Sequence, residues 1–196
     1  MRRFREPGIR YRHHGPGGQW IFSIMRSMNP PSPESAKVVV LMGVAGSGKT
    51  TIGRQLAEEV GWKFFDADDF HPSASVDKMS RGIPLSDADR LPWLESLRDL
   101  IRERLDRGEG AVLACSALKH SYRSYLLLDP RVKLVYLKGD YALIEERIRA
   151  RQAHYMTPAM LQSQFEALEE PEVESHLDIS SHPEEIVKEI RNRLGV

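Results

Sequence analysis

Val38-Val39-Val40-Leu41-Met42 runs straight into Gly43-Val44-Ala45-Gly46-Ser47-Gly48-Lys49-Thr50-Thr51, and no other stretch restricts the fold as tightly. An apolar, largely β-branched run reads as a buried strand, and residues 52–60 read as a helix. Between them, Gly-x4-Gly-Lys-Thr has the spacing of a loop that wraps a phosphate chain. Such a chain needs many converging backbone N–H donors, and side chains would block the approach. The helix that follows points its positive end at the same anion. Residues Gly43 to Thr51 are therefore expected to bind a nucleotide, with Lys49 on the β- and γ-phosphates and the Thr50 hydroxyl on Mg²⁺. A glycine turn that binds nothing is the bland alternative; strand, helix and every fixed position together speak against it.

The 196 residues suit one domain with a proper core. No apolar run approaches the length of a bilayer span, so no membrane partner is expected. Net charge is zero, with six arginines against two glutamates in residues 1–36 and a four-charge acidic excess in the rest. That excess gives no basic face for nucleic acid. Cys115 is the single cysteine, which fits a reducing, cytoplasmic setting and reads as a small buried residue. Residues 1–36 mix Arg, Gly, Pro and Ser without period and read as a disordered extension to a domain over 37–196.

Further strands are expected at 62–66, 111–115, 132–137 and 176–180, with helices at 90–107, 140–153, 157–169 and 183–194. Alternating strands and helices predict an α/β fold: a five-stranded parallel sheet covered on both faces. Ligands of such sheets bind at the carboxyl ends of the strands, so the residues just after each strand are the ones to inspect.

Asp66 and Asp68 stand two apart after the second strand, and an extended backbone turns both to the cleft. Asp66 is assigned to Mg²⁺ through its water shell and Asp68 to the acceptor hydroxyl as base; helix-capping or solvated carboxylates are the alternative. Lys78, Arg81, Arg90, Lys119 and Arg123 line the expected mouth. Singly each reads as a solvated charge; together they fit an anionic, polyhydroxylated acceptor. Arg147 and Arg151 share a helix face and could close over the phosphates as a small lid. An exposed basic helix paired with Glu145 and Glu146 has comparable weight, and Arg149 belongs to that bland class.

The motifs resemble those of the gluconokinases, a phosphate-binding-loop (P-loop) kinase family related to shikimate and adenylate kinases. The resemblance runs from about Val38 to the C-terminus. It is carried by the phosphate loop, Asp66-Ala67-Asp68-Asp69-Phe70-His71-Pro72, Lys78-Met79 and Gly82-Ile83-Pro84-Leu85-Ser86-Asp87-Ala88-Asp89-Arg90-Leu91-Pro92-Trp93-Leu94. It continues through Cys115-Ser116-Ala117-Leu118-Lys119, Tyr122-Arg123, Leu137-Lys138-Gly139 and Gln164-Phe165-Glu166. It implies a P-loop kinase fold and ATP-dependent phosphorylation of D-gluconate at its 6-hydroxyl by a homodimer. Lys49, Asp68 and Arg123 would then be catalytic, Asp68, His71, Lys78, Lys119 and Arg123 would contact the sugar acid, and Arg147 and Arg151 would serve the nucleotide. Ala67 stands where the family commonly has Gly, and Ser75 where it has Asn.

The rival readings are a nucleoside, nucleotide or shikimate-type kinase on the same fold, and a nucleotide-binding module without turnover. The first wants an aromatic stacking slot, for which Trp93 and Tyr122 are the only platforms in the cleft segments, and Trp93 reads as core. The second leaves Asp68 and the cationic set without a task. No Asn-Lys-x-Asp guanine motif is present, and the third strand ends in Cys115-Ser116, without the acidic pair of a motor-type ATPase.

Overall fold

The structure is a computed structural model and describes residues 36–150, 157–171 and 176–196. Five parallel strands stand in the order β2-β3-β1-β4-β5: β1 Val38–Met42, β2 Lys63–Asp66, β3 Ala111–Ala114, β4 Val132–Lys138 and β5 His176–Asp178. Every residue of β1 is buried. Its side chains alternate between two cores, because successive residues of a strand face opposite sides. Val38, Val40 and Met42 pack with α3 (Asp87–Asp106) and α4 (His120–Leu126) through Trp93, Leu97, Ile101 and Leu126. Val39 and Leu41 pack with α1 (Lys49–Val60), α5 (Tyr141–Ala150), α6 (Pro158–Glu166) and α7 (Pro183–Leu194) through Ile52, Leu56, Ile144, Leu161 and Ile190. A strand apolar on both faces can sit only in the middle of such a sheet.

The expected strands and helices are all present, with shifted ends. β5 stops at Asp178, where the Asp178 carboxylate accepts from Ser180 N and turns the chain. α3 starts at Asp87, ahead of the expected position, because Ser86 and Asp89 form a reciprocal capping box. Pro92 therefore lies inside the helix. The short helices α2 (Ser73–Ser80) and α4 fall in stretches that carry little apolar period. Residues 151–153 of the expected lid helix, and the extension over residues 1–35, lie outside the described residues. Ala36, read as part of that extension, is 3% exposed and belongs to the core. Among the described residues no helix is long and apolar enough to cross a membrane.

Candidate active site

The carboxyl ends of β1, β2 and β3 meet around the phosphate loop. Gly43 leaves β1 with φ 152°, and a Cβ there would stand 2.7 Å from Ser47 Oγ and 2.9 Å from Leu137 O. Gly46 has φ 84° and lies against Ile144 and Ile148 of α5. A side chain at either place would collide with packed protein and sit in a backbone conformation that favours glycine, so the loop keeps its shape only with glycine there. Gly48, left-handed at φ 94°, starts α1 without any side-chain cap, so the first amides of the helix are left for a ligand. Lys49 arches back over the loop, with Nζ donating to Gly43 O and Val44 O at 2.9 Å each.

The two aspartates at the end of β2 are arranged differently from the extended pair expected. Ala67–Phe70 is a turn of 3₁₀ helix, and Asp66 caps it by accepting from Asp68 N at 3.2 Å. The capping alternative is thus correct for one oxygen of Asp66. Its other oxygen accepts from Thr50 Oγ1 at 3.2 Å, so the hydroxyl and carboxylate assigned to Mg²⁺ do meet. Both are hard oxygen donors, and among the described residues no group of three His, Cys, Asp or Glu could hold a metal unaided. That set fits a cation carried largely by phosphates and water. Burial pushes the Asp68 carboxyl above the ordinary carboxylate value, the neighbouring Asp66 adds to the rise, and Lys49 opposes it.

His71 stacks on Trp93 with ring centroids 4.7 Å apart and planes 10° from parallel. Trp93 is core, as expected, at 4% exposure, and its Nε1 donates to Ala67 O. Burial lowers the His71 pKa, favouring the neutral ring, and Nδ1 is buried without a hydrogen-bond partner. Trp93 thus supports the residue that reaches the cleft and offers no open slot for a base.

The cationic set is largely neutralised from within. Lys78 Nζ lies 2.6 Å from the Asp89 carboxylate, Arg81 pairs with Asp77 at 2.9 Å, and Lys119 Nζ lies 2.9 Å from Asp87. Arg90 donates to Leu85 O and lies 3.5 Å from Asp87. Tyr122 also donates to Asp87, whose pKa falls chiefly through that bond and then through Lys119. The Lys78 hydrogen bond, followed by Ser86, holds Asp89 down to about 2. Ser75, the departure noted in the sequence, is buried, and its hydroxyl points to Asp89 O at 3.4 Å. It ties the helix carrying Lys78 to the backbone of Asp89.

Arg123 is the exception. It is 5% exposed, and its Nη1 donates to Ala117 O and Leu118 O at 3.1 and 3.0 Å. No carboxylate among the described residues pairs with it at ion-pair distance; burial lowers its pKa, and the charge of Glu169 opposes that fall. Ala117 adopts φ 44°, the one left-handed non-glycine among the described residues, and this turns its carbonyl toward Arg123. Cys115 lies beneath this loop, buried, with its thiol pushed up to about 12 by desolvation, so it takes no part as a nucleophile.

On the nucleotide side, Arg147 Nη2 donates to Ile179 O at 2.6 Å and ties α5 to the turn after β5. Arg151 lies outside the described residues, so the shared-face lid has one placed member. Arg149 pairs with Glu145 at 3.1 Å, as the bland reading expected. The sequence assigned no site role to Asp87, Asp89 or Gln164, and offered Tyr122 only as a stacking platform for the rival kinase. The Ser86-x-x-Asp89 capping signature was the signal available for Asp89; Gln164 stood in a motif of the resemblance, but its partner, a backbone amide 119 residues away, could not be read from it.

The chain is similar to several known proteins. A family model described as an AAA domain matches residues 38–171. The thermosensitive gluconokinase of Escherichia coli is 49% identical over 136 residues, 69% of this chain and 73% of that protein. The gluconokinase of Arabidopsis thaliana is 41% identical over 179 residues, 83% of this chain and 95% of that one. The crystal structure of a gluconokinase from Sinorhizobium meliloti superposes with a TM-score of 0.74 at 38% identity, covering 81% of this chain and 91% of that one.

Proposed function

This chain belongs to the gluconokinase family, and we propose on that footing that it transfers the terminal phosphoryl group of ATP to the 6-hydroxyl of D-gluconate. The observation that carries the acceptor assignment is Arg123: a buried guanidinium with two carbonyl partners, no carboxylate at ion-pair distance among the described residues and only the more distant charge of Glu169 to support it, beside a mouth whose other cations are paired. A buried charge without a direct ion pair is costly, and the carboxylate of a sugar acid neutralises it.

The phosphate-loop amides and Lys49 hold the phosphate chain in place. Asp68, with its raised proton affinity, accepts the proton of the acceptor hydroxyl. His71, Lys78 and Lys119 orient the polyol around it, their positions fixed by Trp93, Asp89 and Asp87. Thr50 and Asp66 would hold Mg²⁺, which would supply charge neutralisation for the transferring group. Arg147 and Arg151 serve the nucleotide side. The working assembly is a cytoplasmic homodimer, which light scattering of the purified protein checks.

The test is ADP release with Mg²⁺-ATP against D-gluconate, shikimate, AMP, CMP and no acceptor. Release with gluconate alone is expected. Release driven by a nucleotide, or equal release without acceptor, overturns the proposal in favour of the rival kinase or the binding module.

A further inference from the structure

The phosphate loop makes one side-chain contact that its motif does not require. The N–H of Ala45, at the crest of the loop, donates to Gln164 Oε1 at 2.7 Å. Gln164 reaches it from α6, a helix fixed by Leu161, which is 1% exposed, and by Phe165, whose ring lies 5.3 Å from that of Tyr141. The same segment also reaches the acceptor side. Glu169 N donates to Leu118 O at 3.0 Å, and the Glu169 carboxylate accepts from His120 N. One helix and its C-terminal turn therefore hold both the phosphate loop and the loop whose carbonyls carry Arg123.

A carboxamide has an acceptor head and a donor head. Because the Ala45 partner is a donor, the acceptor head of Gln164 is committed to the loop. Its Nε2 has no partner among the described residues and is not among the buried polar atoms left without one. The two heads belong to one planar group, so Nε2 also lies beside the loop.

We propose that Gln164 is a positioning residue for the terminal phosphate: Oε1 fixes the peptide at Ala45, and Nε2 is thereby held as a donor for a γ-phosphate oxygen. An amide anchored on a packed helix needs no reorganisation to serve a developing charge. The role is specific to the triphosphate, because a diphosphate places no oxygen at the γ position.

The proposal rests on the kinase reading above, and its first test uses no gluconate. Binding of ADP and of a non-hydrolysable ATP analogue is measured by calorimetry for wild type, Gln164→Ala and Gln164→Glu. Gln164→Ala is expected to bind the analogue about 10-fold more weakly while ADP affinity changes less than about 3-fold. Gln164→Glu is expected to lose at least as much, since its carboxylate still accepts from Ala45 N–H but repels phosphate. In turnover, kcat is expected to fall by about 10- to 100-fold with the KM for gluconate changed less than about 3-fold.

Equal losses for ADP and the analogue, with a lowered melting temperature, make Gln164 a strut and overturn the proposal. So does wild-type analogue affinity and kcat in Gln164→Glu, the near-isosteric variant that decides the matter if Gln164→Ala does not fold. A wild-type protein that binds nucleotide but ignores gluconate sinks the acceptor assignment and leaves this inference standing.

Discussion

The nucleotide wall of the cleft is built of main chain and the acceptor wall of side chains, and they manage charge in opposite ways. On the first, Gly43, Gly46 and Gly48 take the positive φ angles that turn the loop's backbone after the buried strand β1. On the second, Lys78, Arg90 and Lys119 come from three different elements, and Asp87 and Asp89 hold them before any ligand arrives. A main-chain site is fixed once its strand is packed. A side-chain site must be wired, and each charge in it is held by a neighbour that does no chemistry.

The contrast is broken most severely at its centre. Lys49→Ala is expected to lower kcat by about 10³-fold, ~4 kcal/mol of transition-state stabilisation, with the fold intact by circular dichroism. A loss under about 10-fold would show that the amides alone carry the phosphate wall.

Asp68→Asn comes next, with a fall in kcat of about 10²- to 10³-fold. Stability should move the other way. Burial raises the Asp68 pKa, so the stability this group contributes is present below the ordinary carboxylate value of 3.8 and is lost as pH rises through its folded-state value. At neutral pH the variant should melt no lower than wild type. In wild type, kcat/KM should fall on acidification with a midpoint above 3.8. A clearly lower melting temperature in Asp68→Asn would make the carboxylate structural.

Arg123→Ala tests the acceptor wall directly. It is expected to raise the KM for gluconate by about 10- to 100-fold and that for ATP by less than about 3-fold. Equal rises would move Arg123 to the nucleotide.

The smallest effect concerns the wiring. Asp89 is held at about 2, so its pair with Lys78 contributes stability above 3.8 that is lost as pH falls from there through about 2. In Asp89→Asn that part of the acid limb of the melting curve should flatten. An unchanged limb would mean that the pair holds Lys78 in place without stabilising the fold.

The same contrast explains what could be read from the chain. β1 and the phosphate loop are legible because every property there is local: β-branched burial, glycine dihedrals, a helix start. Asp68, Arg123 and the core role of Trp93 also emerge from short segments and from the resemblance. The 3₁₀ turn at Ala67–Phe70 is not visible in advance, because an aspartate pair after a strand suits an extended tail and a cap equally well. Nor is the pairing of Lys119 with Asp87, or of Gln164 with Ala45, since each bond spans a long loop of chain and depends on how α3 and α6 dock.

Cys115 gives the protein a built-in clock. It is the only thiol in the chain, it lies in the core beneath the reactive loop, and its pKa near 12 leaves almost no thiolate at neutral pH. A thiol reagent can reach it only when β3 and its covering helices part. The rate of labelling therefore counts openings of the sheet under native conditions, and its slowing by added nucleotide reports how firmly the ligand closes the molecule.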